Sequence, residues 1–230
     1  MVHITVKQSS NVRRTPDKST YANIAFVTET PLTAEAEPIG DWYKFTLELY
    51  AHKDVAAVMP VPPNVVTDIP YRSQWDLDAN KRSSDCGQTC VAMLADSRGI
   101  DVSINDLRFQ STTRGETTAE DLIKNFASIG LKADKVMLIK PYMPPAVGSI
   151  CLVKYSGFNR ASVQDKGFLG WHWVVYLAET ADYVVVHDPN FSGTRRNEGA
   201  LKLYTMQEWR KAFVSYGGTA LTSVVLKGVI

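Results

Sequence analysis

Apolar and polar positions alternate along several short segments near the start of the chain, and longer apolar stripes at helical spacing begin only after residue 85. The alternating runs lie at 4–6, 24–27 and 42–47, and turn-forming sequences such as Thr15-Pro16-Asp17 separate them. Alternation with a period of two over short runs is typical of half-buried antiparallel strands. The pattern therefore predicts a small all-β barrel.

A change in composition divides the chain after this barrel. The stretch from Ala51 ends in a proline cluster before Asn64, which predicts an extended connector. We therefore expect an all-β domain at 1–52, a proline-rich linker at 53–66 and a second domain at 67–230.

The second domain carries helical patterns first and strand patterns afterwards. Helices are predicted at 86–97, at 103–108 with Ser103 as its cap, at 117–129 with a capping box of Thr117 and Glu120 and with Gly130 as C-cap, and at 205–212. Strands are predicted at 131–138, 149–154, 171–178, 182–188 and 219–227. Helices followed by an antiparallel sheet predict an α+β domain.

Composition narrows the classes of function. The chain has 230 residues, a formal net charge of +1, 45% hydrophobic and 21% charged residues. A near-neutral chain is not expected to bind nucleic acid or anionic membranes electrostatically. No apolar run approaches the roughly 20 residues of a membrane span, and the first residues lack a hydrophobic signal core. We expect a protein of the cytoplasm, or one released by lysis.

Three cysteines make an odd count, which argues against a framework of disulfides. Cys90 and Cys151 are interpreted as small buried hydrophobes. A zinc site would need more soft ligands than the histidines of this domain readily supply. We therefore expect neither a metal nor a cofactor.

Cys86 stands where a helix is predicted to begin, after a polar run and directly before Gly87. The unpaired first-turn N–H groups and the helix dipole favour negative charge at that point, which favours a nucleophilic thiolate. The downstream segments 171–175 and 184–190 supply His172 and Asp188. Cysteine, histidine and acid in this chain order indicate a thiol hydrolase.

The N-terminal region resembles bacterial SH3-like domains. The matching segments are Asn11-Val12-Arg13, which such domains use as an opening turn, and Gly40-Asp41-Trp42-Tyr43-Lys44, which matches their closing strand. The resemblance implies a small barrel that either binds cell-wall peptides or packs against an attached enzyme. Trp42 is accordingly a ligand platform or, as we favour, a core aromatic.

The second domain resembles papain-like cysteine peptidases of the branch that includes the leader-peptide-cleaving domains of bacteriocin exporters. The matching segments, in the expected order, are 69–75, Asp85-Cys86-Gly87, 171–175 and His187-Asp188-Pro189. The resemblance implies a papain-like α+β fold in which helices pack on an antiparallel sheet. It also implies a cysteine peptidase.

The resemblance assigns a role to each candidate residue. Cys86 would attack a carbonyl carbon, His172 would act as general base and acid, and Asp188 would orient the imidazole. The Gln74 amide, with the Cys86 backbone N–H, would face the developing oxyanion. Alternatives stay open: His187 is a rival base, Asn190 a rival orienting residue, and Asp85 a possible helix cap.

Trp171, Trp173 and Gly87 are the candidate substrate-binding residues. Three functions remain open: a cysteine peptidase or amidohydrolase acting on a peptide or isopeptide amide, a peptidoglycan hydrolase whose SH3-like module binds cell wall, and a non-catalytic papain-like binding module.

Overall fold

A computed structural model of the chain describes two compact units, Met1–Pro63 and Asn64–Ile230. The described residues are 2–6, 9–19, 21, 24–27, 32–45, 49–54, 56–59, 68–78, 84–107, 116–137 and 142–224. The predicted domain boundaries stay predictions, because residues 60–67 lie outside these ranges.

The N-terminal unit is built from antiparallel strands. They are β1 (Val2–Val6), β2 (Asn11–Arg13), β3 (Ile24–Val27), β4 (Leu32–Ile39), β5 (Trp42–Phe45), β6 (Leu49–His52) and β7 (Ala56–Met59), in the sheet order β3-β2-β6-β5-β4-β1-β7. Strand β7 lies in the interval predicted as linker and pairs with β1. Trp42 is buried and meets the ring of His52 edge-on at 5.0 Å, which favours a core position. The SH3-like barrel stays a prediction.

The C-terminal unit combines helices with one antiparallel sheet, so the predicted α+β arrangement is confirmed. Its helices are α1 (Cys86–Asp96), α2 (Ala119–Ser128) and α3 (Met206–Ala212). Its strands are β8 (Lys132–Met137), β9 (Ile150–Lys154), β10 (Trp171–Glu179), β11 (Tyr183–His187), β12 (Lys202–Thr205) and β13 (Thr219–Val224), in the order β12-β11-β10-β9-β13-β8. Strand β12 was not predicted.

Strand β10 is buried on both faces of this sheet, and its side chains point alternately to one face and the other. Trp173 faces α1 and α2, where it packs beside Gly87 and Leu122. The opposite face carries Val174 and Tyr176, which belong to one buried core with Trp209 of α3. A strand buried on both sides holds its residues in fixed register, and β10 is the strand that carries His172.

Helix α2 begins one residue later than predicted. Thr118, not Thr117, is its N-cap, and Asp121 completes the capping box. The Thr117 hydroxyl instead exchanges hydrogen bonds with the Gln88 side chain, at 3.0 and 3.1 Å. Gly130 ends the helix as predicted: its φ is +76°, the left-handed conformation that favours glycine at this position.

Candidate active site

Cys86 is the first residue of α1, and ten of the eleven residues of this helix are buried. Such burial fixes the helix against the sheet and therefore fixes the position of the sulfur. Asp85 occupies the N-cap position, as the alternative had it, but its side chain makes no capping hydrogen bond. The Asp85 carbonyl instead accepts the Thr89 N–H at 2.8 Å. The Cys86 N–H, in the first turn, has no intrahelical acceptor.

His172 is the second residue of β10 and is almost completely buried. Its Nε2 lies 2.8 Å from Oδ1 of Asp188. Cys86 lies near enough to the imidazole to raise its pKa, and both residues line one cleft. Because Asp188 engages Nε2, Nδ1 is the ring nitrogen left for the thiol. The three residues predicted from the sequence as a catalytic group are therefore brought together.

Asp188 follows the last residue of β11 and is fully buried. The antiparallel register opposes Val175 to His187, which places Asp188 beside the first half of β10. Its Oδ1 accepts hydrogen bonds from His172 Nε2 and from the Asn190 backbone N–H at 2.9 Å. Asn190, the rival orienting residue, thus contacts Asp188 through its backbone and leaves His172 to the carboxylate.

The pKa values of this pair follow from their mutual contact. Burial alone would lower the pKa of His172, but the Asp188 carboxylate and the Cys86 side chain outweigh it and raise that pKa to about 10. Burial alone would raise the pKa of Asp188, but His172 and the surrounding donors hold it below the ordinary value. The geometry therefore favours an imidazolium beside a carboxylate.

Gln74 is buried within the segment 68–78, which is bound to the turn after β11. Its backbone N–H donates to the Pro189 carbonyl at 2.9 Å, and the Ser73 hydroxyl donates to the Phe191 carbonyl at 2.5 Å. Farther along the segment, Asp76 accepts two hydrogen bonds from Arg196, at 2.6 and 2.7 Å. These contacts place Gln74 at the same cleft as Cys86 and His172.

His187, the rival base, is held away from this chemistry by two backbone contacts. Its Nε2 donates to the Ile69 carbonyl at 2.9 Å, and its Nδ1 accepts the Leu201 N–H at 3.1 Å. Burial lowers its pKa to about 4. Both ring nitrogens are occupied and the imidazole stays neutral, so His187 as base is contradicted.

The cleft has a volume of about 570 Å³ and is lined by Cys86, His172 and Gln74 together with Trp171 and Trp173. Trp171 is 45% exposed, whereas Trp173 is 2% exposed. The Trp173 indole donates to the Thr117 carbonyl at 3.0 Å. Trp171 is therefore the exposed tryptophan of the cleft, where Lys154 lies over its ring and Tyr216 meets it edge-on, while Trp173 is the buried one.

Gly87 lies outside the lining of this cleft. A β-carbon at this position would lie 2.8 Å from Leu122 Cδ2 and 3.1 Å from Trp173 Cδ1. The structure thus gives Gly87 a packing role between α1, α2 and β10. This differs from the substrate-binding role predicted for it.

All three cysteines are free and buried. Burial raises the pKa of the Cys90 and Cys151 thiols, which fits small buried hydrophobes. Within the described ranges, no group of three or more His, Cys, Asp or Glu side chains is arranged to hold a metal ion. Over the same ranges, no helix combines the length and apolar character that crossing a membrane needs.

Two residues of the site were missed from the sequence. The hydroxyl groups of Tyr155 and Tyr204 donate to Oδ2 of Asp188, at 3.2 and 2.6 Å. Tyr155 lies in a short 3-10 turn and Tyr204 in the unpredicted strand β12. The alternation of Lys202, Leu203 and Tyr204 was the available signal for that strand.

The sequence comparison identifies one family. Residues 76–206, more than half of the chain, match the profile of the peptidase C39 family. No curated protein matches the chain.

Several solved structures are similar to the chain at low identity. The peptidase domain of Streptococcus ComA, a bifunctional ABC transporter of a quorum-sensing pathway, is 16% identical, with 68% of this chain and 98% of that chain covered and a TM-score of 0.46. A double-glycine motif protease from an AMS/PCAT transporter, solved with its leader peptide, is 17% identical, with 73% and 98% covered and a TM-score of 0.46. A C39-like peptidase from Bacillus anthracis is 15% identical, with 70% and 96% covered and a TM-score of 0.47.

Proposed function

The chain belongs to the peptidase C39 family of cysteine peptidases, and on that premise we propose that it hydrolyses peptide amide bonds through Cys86, His172 and Asp188. The observation that carries this proposal is the 2.8 Å hydrogen bond between the His172 imidazole and the Asp188 carboxylate, with Cys86 near enough to raise the imidazole pKa. The sulfur and the imidazole also line one open cleft. A nucleophile, a base and a residue that orients the base are the minimum set for acyl transfer through a covalent intermediate.

The proposed reaction begins from the state in which the thiol proton already resides on Nδ1 of His172, so that a Cys86 thiolate lies beside the imidazolium. The sulfur then attacks the carbonyl carbon, and collapse of the tetrahedral intermediate breaks the C–N bond. His172 gives its proton to the leaving amine, which leaves an acyl thioester on Cys86. A water molecule, deprotonated by His172, attacks the thioester, releases the acid and restores the thiolate beside the imidazolium. Asp188 stays ionised throughout and stabilises the imidazolium.

Gln74 and the backbone N–H of Cys86 are proposed to bind the oxyanion. Gln74 lies at the same cleft and is fixed through its backbone contact with Pro189. The first-turn N–H of α1 has no helical acceptor and is available for a ligand. Fixed donors at the point where charge develops stabilise the transition state more than the ground state.

A papain-like fold and a peptide substrate are part of the same proposal. The helix that carries the nucleophile and the sheet that carries the histidine and the acid support the fold. Among the described residues, the Cys86–His172 contact also favours a catalyst over the alternative of a non-catalytic binding module. Peptidoglycan as substrate, and cell-wall binding by the N-terminal unit, stay predictions.

Incubation with a peptide library, read by mass spectrometry, tests the proposal. We expect Cys86→Ala and His172→Ala to lower turnover by roughly 10⁶-fold, because removing the nucleophile or the base removes the covalent pathway. The matched control is Cys151→Ala, which removes a buried thiol outside the cleft lining and should keep turnover. Cleavage products that persist in Cys86→Ala would refute the mechanism.

Alkylation of the thiol by iodoacetamide at pH 6 separates the peptidase from the binding module. We expect Cys86 to react faster than a free model thiol, because the imidazolium beside it stabilises the reactive thiolate. A rate no higher than that of the model thiol would favour the binding module.

A further inference from the structure

We propose that Tyr204 and Tyr155 are positioning residues that hold the Asp188 carboxylate in the orientation and charge state that His172 requires. The inference rests on the proposed function, in which Asp188 orients the catalytic imidazole. It adds two hydroxyl groups that act through Asp188.

Both carboxylate oxygens of Asp188 accept hydrogen bonds. Oδ1 accepts from His172 and from the Asn190 backbone, whereas Oδ2 accepts from the hydroxyl groups of Tyr204 at 2.6 Å and Tyr155 at 3.2 Å. Asp188 is fully buried, so bulk water does not reach Oδ2. A buried charge remains stable only when its lone pairs are satisfied. The two tyrosines supply the donors on the side facing away from His172.

Packing fixes each hydroxyl in place. The ring of Tyr204 stacks on Phe158 with centroids 3.8 Å apart. The ring of Tyr155 meets the His172 imidazole at 4.9 Å with an interplanar angle of 72°. Both tyrosines are completely buried. Neither hydroxyl can turn to another acceptor without moving its ring, so the carboxylate is clamped from a rigid core.

A hydrogen-bond chain connects Tyr155 to the cleft. The Tyr155 hydroxyl donates to Asp188, and Asn190 lies near enough to that hydroxyl to lower the Tyr155 pKa against the larger raising effects of burial and Asp188. The Trp75 indole donates to Oδ1 of Asn190 at 3.3 Å, which leaves the amide nitrogen of Asn190 to donate to Tyr155. Trp75 and Asn190 both line the cleft. The groups that orient Asp188 therefore come from the cleft wall as well as from the core.

Both tyrosines remain donors over the working pH range. Burial and then the charge of Asp188 raise the pKa of Tyr155 and Tyr204 well above the ordinary value. The titratable groups that face Asp188 are His172 from β10, Tyr204 and Lys202 from β12, Tyr155 from the 3-10 turn, Tyr71 from segment 68–78 and Cys90 from α1.

Lys202 is the second cationic neighbour of the carboxylate, but it makes no direct contact with it. Its ammonium lies 4.9 Å from the Phe191 ring centroid and 5.9 Å from that of Tyr204. Burial lowers the pKa of Lys202. The direct contacts that hold the charge of Asp188 are therefore the imidazole, one backbone N–H and the two hydroxyl groups.

The test compares Tyr204→Phe, Tyr155→Phe and the double variant with the control Tyr176→Phe. Tyr176 is a buried tyrosine whose hydroxyl bonds to Glu179 rather than to Asp188. Carbon-13 titration of labelled aspartate, assigned with Asp188→Asn, reports the Asp188 pKa without any activity. The pH profile of kcat/KM on a cleaved library peptide reports its effect on turnover.

We expect Tyr204→Phe to raise the Asp188 pKa by about one unit, because it removes a hydrogen bond to a charged group. Tyr155→Phe should raise it less, since its contact is longer, and the double variant should raise it most. The acidic limb of kcat/KM should move to higher pH in the same order while KM changes less than about twofold. Tyr176→Phe should leave the limb in place.

Each outcome separates this inference from the proposed function. An acidic limb and an Asp188 pKa that stay at the wild-type values in the double variant would overturn the positioning role. If turnover depends on Cys86 and the limb still does not move, the positioning role fails and the peptidase stands. If the Asp188 pKa rises as expected but turnover does not depend on Cys86, the peptidase proposal fails and the two tyrosines still hold the carboxylate.

Discussion

His172 and His187 are both buried in the same pair of antiparallel strands, yet their surroundings drive them to opposite charge states. His172 faces the Asp188 carboxylate, and its pKa is raised to about 10. His187 bonds only to backbone groups of Ile69 and Leu201, and its pKa is lowered to about 4. Burial disfavours the cation at both positions, so the difference comes from the partner.

The two histidines therefore have different roles: His172 belongs to the proposed catalytic group, whereas His187 holds backbone segments together. A carboxylate beside an imidazole stabilises the protonated ring. A carbonyl that accepts from one ring nitrogen and an N–H that donates to the other instead fix a neutral tautomer. His187 and Asp188 are adjacent in sequence, yet their side chains serve different regions. His187 ties three segments of the chain together, and Asp188 supports the proposed catalytic pair.

Segment 68–78 contacts both His187 and the residues next to Asp188. Ile69 accepts the His187 hydrogen bond, and Gln74 donates its backbone N–H to Pro189, next to Asp188. The neutral histidine thus anchors the start of the segment that delivers Gln74 to the cleft. Variants at Asp188, Gln74 and His187 test whether the surroundings of His172 and those of His187 act separately.

The largest effect among these variants is expected from Asp188→Asn. The neutral amide removes the charge that raises the His172 pKa, and it can hold the wrong imidazole tautomer toward Cys86. We expect kcat/KM to fall by roughly 10³–10⁴-fold. The alkaline limb of the pH profile, expected near pH 10 from the raised His172 pKa, should move to lower pH.

The matched control for Asp188→Asn is Asp76→Asn, which replaces the carboxylate of the half-exposed Asp76–Arg196 ion pair on segment 68–78 with a carboxamide. That variant should change stability without moving the alkaline limb. Equal alkaline limbs in wild type and Asp188→Asn would show that Asp188 does not set the charge of His172.

A smaller effect is expected from Gln74→Ala. Losing one donor to the oxyanion typically costs about 3–4 kcal/mol, so kcat should fall by roughly 10²–10³-fold with little change in KM. Gln74→Glu is the informative partner, because it retains the size but places an acceptor where a donor is needed. Activity of Gln74→Ala within a few fold of wild type would remove Gln74 from the oxyanion site.

The sequence sufficed to propose the candidate residues that can be recognised from residue type and chain order alone. Cys86 at a helix start and His172 and Asp188 on neighbouring strand segments could be found from residue type and order, and the structure brings them together. The choice between His172 and His187 could not be made locally. It depends on Ile69 and Leu201, which lie 118 and 14 residues away in sequence.

The misplaced helix cap has a similar cause. Thr117 with Glu120 and Thr118 with Asp121 both place an acidic residue three positions after a threonine, which is the looser form of the capping-box pattern. The structure uses the second pair because the Thr117 hydroxyl is already engaged by Gln88 of α1. Tyr204 was missed for the same reason, since its proximity to Asp188 depends on the pairing of β12 with β11. Sequence reasoning ends where a contact depends on another element.

The smallest effect on activity, and the sharpest test of the comparison, is expected from His187→Gln. An amide can donate to the Ile69 carbonyl but cannot take up a proton. In the wild type the folded pKa of His187, about 4, lies below the unfolded value of 6.5. The unfolded chain therefore binds the proton more tightly, and His187 should reduce stability progressively as the pH falls from 6.5 to 4, by about 3 kcal/mol in total.

Urea unfolding between pH 7 and pH 4 measures this contribution. His187→Gln should lose about 1–2 kcal/mol at pH 7 from its imperfect hydrogen bonds, yet its stability should fall less steeply with acid than that of the wild type. The contrary outcome is that His187→Gln keeps the wild-type dependence of unfolding free energy on pH while turnover at pH 7 collapses. The surroundings of His172 and His187 would then not be separate, and His187 would act on the cleft through segment 68–78.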